Sequence, residues 1–105
     1  MGYRLNVCEE YRVIYGDGCF NSNYDLITGL FDDYCDNVWQ SESGDILEIP
    51  FEDFSYFLTR LRLNGGKISQ IYQISIQYVE EIIDTLQEMY DQADKRNQCI
   101  RLEWF

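Results

Sequence analysis

The sequence predicts one α+β domain over residues 1–105, in which about three helices cover one face of a small, mostly antiparallel sheet. Three observations lead to this prediction. Short segments rich in β-branched and aromatic residues occur at the start, in the middle and at the end of the chain. Between them, apolar residues recur at the three- and four-residue spacing of a helix face. A length of 105 residues with 46% hydrophobic residues suits one domain with its own core.

Three strands are predicted. The N-terminal strand covers residues 3–15, where one face collects alternating apolar side chains, namely Tyr3, Leu5, Val7, Tyr11, Val13 and Tyr15. This is long for a single strand, so we expect a bulge or a tight turn around residues 8–10. The central strand runs from Ile46 to Ile49. In the C-terminal strand, Arg101 and Glu103 alternate with three apolar residues, Ile100, Leu102 and Trp104.

The first two helices have clear start signals. Ser22 is a candidate N-cap, and apolar residues follow it at helical spacing to about Trp39. The second helix begins at Pro50, a residue suited to a first helical turn, and it ends at residues 64–66, Asn-Gly-Gly. Its acidic residues come early and its two arginines come late, as the helix dipole favours.

The third helix is the longest, and its start has two interpretations. Its apolar stripe consists of Val79, Ile82, Ile83, Leu86 and Tyr90, and it ends near residues 94–97. Residues 68–74 fit either a strand or the first turns of this helix. Ser75 can cap a shorter version of the helix, which is the interpretation that we prefer.

The charge of the chain is strongly negative and unevenly distributed. There are 19 acidic residues against 8 basic ones, and there is no histidine. Residues 13–59 contain ten acidic residues and neither lysine nor arginine. Because phosphate binding requires clustered cations, we expect no direct binding to nucleic acid or to anionic membranes. The absence of histidine excludes Ser-His-Asp and Cys-His catalysis as well as histidine-ligated metal sites.

We expect the carboxylates of the base-free segment to form a partner-binding acidic face. Its members are Asp32, Asp33, Asp36, Glu42, Asp45, Glu52 and Asp53. A secondary acidic stripe on the long helix consists of Glu81, Asp84, Glu88 and Asp91. On the predicted first helix, Asp32 and Asp36 form a like-charge pair one turn apart, at a cost of about 0.2–0.5 kcal/mol. Such unfavourable local electrostatics, repeated without a visible compensation, indicate a functional surface.

Neither a metal nor a cofactor is predicted. Residues 32–36 match the letters of the D-D-x-x-D pattern of prenyl-transfer enzymes, yet a chain of 105 residues is too short for the helical cavity that this chemistry requires. The four cysteines are far apart and form no C-x-x-C motif, so we expect reduced thiols: Cys8, Cys19, Cys35 and Cys99. The N-terminal residues lack the apolar core of a signal peptide, and no apolar run is long enough to span a membrane. These features predict a cytoplasmic protein.

In its size, its acidity and its lack of catalytic residues, the chain resembles small acidic proteins of phages and mobile elements, among them anti-CRISPR and anti-restriction inhibitors. This resemblance implies a non-enzymatic inhibitor that mimics nucleic acid and occupies the basic groove of a nucleic-acid-processing protein. Two alternatives stay open. One is a structural or assembly protein that self-associates, for example as a homodimer. It would use strand edges and the C-terminal aromatic residues Trp104 and Phe105. The other is a small enzyme based on carboxylates such as Glu52 and Asp53.

Overall fold

Four helices and a three-stranded sheet make up the part of the chain that the computed structural model describes, residues 24–104. In chain order they are α1 (Tyr24–Tyr34), β1 (Trp39–Gln40), β2 (Ile46–Pro50), α2 (Phe51–Leu63), α3 (Gly65–Tyr72), α4 (Ile76–Gln92) and β3 (Cys99–Glu103). The predicted α+β class is confirmed. The predicted strand over residues 3–15 and the N-cap Ser22 lie outside the described residues.

The sheet has the order β1-β2-β3, and both neighbouring pairs are antiparallel. Leu47 and Ile49 of β2 are buried, and they lie opposite Leu102 and Ile100 of β3. Side chains of successive strand residues point to opposite faces, so this register gives the sheet one apolar face for the helices. On the other face, Arg101 lies 3.3 Å from the carboxylate of Glu48. The predicted central and C-terminal strands are therefore confirmed.

Helix α2 lies between α1 and α4 at the centre of the core. The ring of Phe54, which is 0% exposed, packs 5.9 Å from Phe31 of α1 and 5.7 Å from Tyr90 of α4 between centroids. Phe57 stacks on Phe31 at 4.2 Å. Full burial of such a side chain contributes on the order of 1.5–3 kcal/mol. The aromatic side chains of α2 thus hold the two flanking helices in place.

Helix α1 ends earlier than the sequence predicts. It stops at Tyr34 rather than near Trp39, which belongs instead to strand β1 and pairs with Glu48 of β2. The backbone N–H of Cys35 still donates to Phe31, but the chain then leaves the helical path. The physical reason is that strand pairing and the burial of Cys35 together outweigh the helical spacing of the apolar residues beyond Tyr34.

A separate helix, α3, occupies the segment whose prediction was ambiguous. Residues 68–74 form neither a strand nor the start of the long helix, so both interpretations were wrong for this segment. Gly65 and Gly66 follow the end of α2 as predicted, but they begin α3. Ile68 is buried, with 1% exposure, and Tyr72 lies one turn further on the same helix. Packing through this short face explains why the segment is helical.

Helix α4 begins where the shorter version was predicted. The Ser75 hydroxyl accepts a hydrogen bond from the backbone N–H of Tyr78 at 3.1 Å, which is the geometry of an N-cap. Gln73 separates α3 from α4 with a left-handed backbone, φ 55°. The predicted apolar stripe of α4 faces the core, but the helix ends at Gln92, slightly before the predicted residues 94–97. Within residues 24–104, no helix combines the length and the apolar character needed to cross a bilayer.

Candidate functional site

The predicted acidic face separates into two groups of carboxylates at opposite ends of α1. The α1-end group lies at the C-terminal end of the helix and contains Asp32, Asp33, Asp36, Glu52 and Asp53. The turn group, Glu42 and Asp45, lies in the connection between β1 and β2. Tyr24, the first residue of α1, holds this connection because its hydroxyl donates to the carbonyl of Gly44 at 2.6 Å. Along α1 the two groups are about 15 Å apart, so they do not form one continuous array.

Asp36 of the α1-end group is neutralised by an arginine. Its carboxylate accepts two parallel hydrogen bonds from Arg60 of α2, at 3.0 and 2.9 Å. The same guanidinium donates to the carbonyl of Tyr34, the last residue of α1, at 3.1 Å. These hydrogen bonds and the positive charge of Arg60 lower the pKa of Asp36. Asp36 therefore joins two helices, and since it lies beyond the end of α1, it does not form the predicted one-turn helical pair with Asp32.

Asp33 and Asp53 each accept a hydrogen bond from an uncharged side chain. The hydroxyl of Tyr72 on α3 donates to Asp33 at 2.8 Å, and the amide of Asn37 donates to Asp53 at 3.2 Å. Burial, the hydrogen bond and the negative charge of Asp33 together raise the pKa of Tyr72 to about 12. Gly29 leaves room for this contact, since a Cβ at its position would lie 3.0 Å from the Tyr72 hydroxyl oxygen.

In the turn group, Asp45 organises the turn itself. Its carboxylate accepts hydrogen bonds from the hydroxyls of Ser41, at 3.1 Å, and Ser43. These hydrogen bonds lower the pKa of Asp45. The Ser41 hydroxyl also accepts from the backbone N–H of Ile46 at 3.2 Å. Asp45 is therefore a turn-stabilising residue as well as a surface charge.

Three members of the predicted face are available to a partner without breaking an internal contact. Asp32, Glu42 and Glu52 are exposed, and they make no hydrogen bond or ion pair within residues 24–104. Asp32 and Glu52 belong to the α1-end group, whereas Glu42 lies in the turn group. The predicted face thus contains both free carboxylates and carboxylates that hold the fold together.

The secondary stripe on α4 is the more continuous array. All four of its carboxylates, Glu81, Asp84, Glu88 and Asp91, are exposed on one side of a 17-residue helix. They span eleven residues of helix, or about 15 Å. Arg62 of α2 approaches Asp84 to 4.0 Å, and the amide of Gln87 donates to Asp91 at 3.1 Å. Arg62 therefore brings one positive charge to this stripe, at Asp84.

The two arginines at the end of α2 serve opposite sides of that helix. Arg60 reaches toward α1 and Asp36, while Arg62 reaches toward α4, where it also donates to Gln87 at 3.1 Å. Residues two positions apart on a helix project in nearly opposite directions, which accounts for this division. Sequence reasoning assigned both arginines to the helix dipole and missed their role as bridges. The two-residue spacing of Arg60 and Arg62, which places them on opposite sides of the helix, was the sequence signal that could have predicted this role.

The carboxylates are not arranged as a metal centre. In the stretch from residue 24 to residue 104, no three His, Cys, Asp or Glu side chains are placed to hold a metal ion. A shallow groove of about 560 Å³ lies between the α2–α3 junction and α4. Its lining includes Glu80 and Asp84 but neither Glu52 nor Asp53, the pair considered for acid–base chemistry. Cys35 is a buried free thiol, and burial is the main cause of its raised pKa.

Trp104, proposed as an interaction residue in the self-association alternative, has internal contacts. Its ring packs edge-on against Tyr24, with centroids 5.1 Å apart, and its backbone N–H donates to the carbonyl of Asp45 at 2.9 Å. Phe105 lies outside the described residues. The exposed aromatic residue of the sheet is instead Trp39 on β1, with 56% exposure.

The acidic surface therefore has three parts: the α4 stripe and the α1-end group lie on either side of α2, and the turn group lies at the other end of α1. Comparisons of the chain with protein-family models, with curated proteins and with solved structures found no significant match.

Proposed function

We propose that this protein is a non-enzymatic, cytoplasmic inhibitor that presents its carboxylates to the basic groove of a nucleic-acid-processing protein. The observation that carries the proposal is the α4 stripe. Four exposed carboxylates repeat along one helix, and Arg62 forms an ion pair with one of them, Asp84. A partner that supplies lysine or arginine would add favourable charge contacts along this exposed acidic surface.

The spacing of the stripe supports mimicry of a nucleic-acid strand. Carboxylates one helical turn apart are separated by about 6 Å along the axis, the same order as the spacing of charges along one strand. The helix holds these groups on a rigid scaffold, because α4 is capped by Ser75 and packs its buried face on α2 and α3. A rigid array loses little conformational entropy when it binds.

The α1-end group provides a second patch on the other side of α2. Asp32 and Glu52 are its free carboxylates, and Asp33 and Asp53 keep only uncharged hydrogen-bond donors. Attraction between such a surface and a basic groove raises the association rate and weakens as salt screens the charges. The proposal therefore predicts complexes that form at low salt and dissociate when the salt concentration is raised.

The first test is capture of partners from nuclease-treated bacterial lysate with the tagged protein. We expect a nucleic-acid-binding protein to be enriched at low salt, released at high salt and displaced by added DNA or RNA. The captured protein is then purified, and its affinity is measured directly. Enrichment that is insensitive to both salt and nucleic acid would contradict the proposal.

Charge variants identify which patch binds. Glu81→Gln with Glu88→Gln removes two charges from the α4 stripe, and Asp32→Asn with Glu52→Gln removes two from the α1-end group. The matched control is Gln70→Lys with Gln98→Lys, which changes the net charge equally at exposed positions outside both patches. We expect the α4 variant to weaken binding of the purified partner more than the control does. Equal weakening by all three variants would indicate a non-specific effect of net charge.

Self-association is a second candidate function, and one observation favours it. Trp39 exposes 56% of its surface on β1, which is an edge strand of the sheet that residues 24–104 form. Edge strands with exposed apolar residues can extend a sheet into a second copy. Light scattering over a range of protein concentrations tests this candidate, with Trp39→Ser as the variant. A monomer at every concentration would exclude self-association through this edge.

A further inference from the structure

The groove between the α2–α3 junction and α4 combines exposed aliphatic side chains with acidic ones. It measures about 560 Å³, and Leu63 at the end of α2 and Ile76 at the start of α4 both line it. Leu63 is 79% exposed and Ile76 is 46% exposed. Single exposed aliphatic residues are common on protein surfaces, but these two line the same groove and together form a small apolar patch.

Buried core residues extend this apolar surface inward. Val79 and Ile83 of α4 are 2% and 5% exposed, and both line the groove. At the α2–α3 junction, the lining consists of Gly65 and Gly66. A Cβ at Gly66 would meet nothing within 4 Å, and one at Gly65 would come no closer than 3.9 Å to Val79. The backbone at this junction is therefore accessible, and an inserted side chain can reach the apolar lining.

The charge around the groove is complementary to a cationic ligand. Glu80 and Asp84 line it directly, and Glu81 lies next to Glu80 on α4. The one cation of the lining, Arg62, is held by Asp84 at 4.0 Å and by the side-chain oxygen of Gln87 at 3.1 Å. A ligand with an apolar side chain flanked by lysine or arginine would match both the apolar lining and the acidic rim.

We propose that this groove binds an amphipathic, basic segment of a partner protein, with one leucine- or phenylalanine-like side chain between Leu63 and Ile76. The flanking cations of that segment face Glu80 and Asp84. This inference rests on the proposed function, since it assigns a partner chemistry to the end of the same acidic helix. It adds an apolar anchor to an interaction that would otherwise be purely electrostatic.

The test uses three labelled synthetic peptides of equal positive charge and fluorescence anisotropy with the full chain. The first has leucines and lysines in helical spacing, the second has the same composition in scrambled order, and the third contains only lysine and glycine. We expect the amphipathic peptide to bind about tenfold more tightly than the lysine–glycine one, because burial of one aliphatic side chain is worth that much. Amide chemical shifts should change at Gly65, Gly66 and Ile76.

Variants at the exposed positions separate the anchor from the charge. Leu63→Gln with Ile76→Gln should abolish the tenfold difference and leave binding of the lysine–glycine peptide unchanged. The matched control is Ile71→Gln, which changes an aliphatic residue of 59% exposure outside the groove. Far-UV circular dichroism verifies that each variant is folded. Glu80→Gln with Asp84→Asn should weaken all three peptides.

The outcomes distinguish failure of the groove from failure of the proposed function. Equal affinities for the amphipathic and lysine–glycine peptides, with salt-sensitive binding of both, would overturn the groove and leave the acidic surface intact. Failure of the lysine–glycine peptide to bind at low salt would count against the proposed function as well. If the free protein is a dimer that Leu63→Gln with Ile76→Gln dissociates, the groove holds a second copy and the inference is wrong.

Discussion

Arg60 and Asp36 form a two-pronged ion pair that connects the C-terminal end of α2 to the chain just beyond α1. The two hydrogen bonds measure 3.0 and 2.9 Å, and Arg60 also donates to the carbonyl of Tyr34 at 3.1 Å. One guanidinium thus satisfies a terminal carbonyl of α1 and neutralises a member of the predicted acidic face. Asp36 belongs to the stability of the fold, whereas its neighbour Asp32 remains free for a partner.

Substitution of Arg60 should lower stability modestly. Arg60→Gln leaves Asp36 and the Tyr34 carbonyl without their shared donor, so we expect a melting temperature a few degrees lower at pH 7. The effect should shrink at high salt, because both side chains are largely exposed. Thermal unfolding followed by circular dichroism measures it. The double variant Arg60→Gln with Asp36→Asn should be only slightly less stable than Arg60→Gln alone. If the stability losses of the two single variants add up in the double variant, the two side chains are not coupled.

The same pair predicts a dependence on acid pH. The pKa of Asp36 is lower in the folded state than its ordinary value of 3.8. The contribution of the pair to stability is therefore present above pH 3.8 and disappears as the pH falls through the lowered folded-state pKa. The difference in stability between wild type and Arg60→Gln should therefore disappear as the pH falls below 3.8. A difference that stays unchanged at acid pH would contradict the stabilising role of the Arg60–Asp36 pair.

Phe54 should be among the most sensitive positions in the core. It is fully buried and packs against Phe31, Phe57 and Tyr90. Phe54→Ala should reduce the free energy of unfolding by about 3–5 kcal/mol, since it removes the contact between the three helices and leaves a cavity. Urea denaturation measures the loss. Tyr56→Ala on the exposed side of the same helix, 57% exposed, is the control and should change stability by less than about 0.5 kcal/mol.

Two glycines should respond to alanine in opposite directions. Gly44 has a left-handed backbone, φ +80°, and a Cβ there would lie 2.6 Å from the Tyr24 hydroxyl oxygen. Gly44→Ala should destabilise the protein by about 1–2 kcal/mol from the backbone alone. Gly66 lies in α3 with no atom near its Cβ position, so Gly66→Ala should stabilise by about 0.5–1 kcal/mol. Chemical denaturation of both variants compares them, and a stabilising Gly44→Ala would refute the account of the turn.

Deprotonation of the Tyr72 hydroxyl should lower the stability of the protein at alkaline pH. Its pKa is raised from 10.0 to about 12 in the folded state, so the unfolded chain releases this proton first. The stabilisation is present below pH 10 and is lost as the pH rises toward 12. Tyr72→Phe lacks this group, and its stability should fall less steeply over the same range. Chemical denaturation of both proteins at several alkaline pH values tests the difference. If stability falls equally steeply with pH in wild type and Tyr72→Phe, the Tyr72–Asp33 hydrogen bond is not the cause of the alkaline loss.

Local patterns predicted the elements whose residues carry a strong periodic or capping signal. The strand beginning at Ile46 and the C-terminal strand alternate clearly, and Ser75 and Pro50 mark the starts of their helices. Residues 68–74 lack such a signal, since their apolar residues fit more than one period. The helical state of residues 68–72 depends on Ile68 reaching the core and on Tyr72 reaching Asp33, contacts with residues far away in the sequence.

The sequence by itself determined the fold class, the excess of carboxylates and the α4 stripe, because each depends on composition or on spacing within one element. Only the tertiary structure decided which carboxylates are free. The partners of Asp33 and Asp36 lie on α3 and α2, and their approach follows from the packing of those helices against α1. The physical reason is that the type of residue alone decides whether a side chain is charged. Its neutralisation depends on distances of about 3 Å between groups that the chain brings together only when it folds.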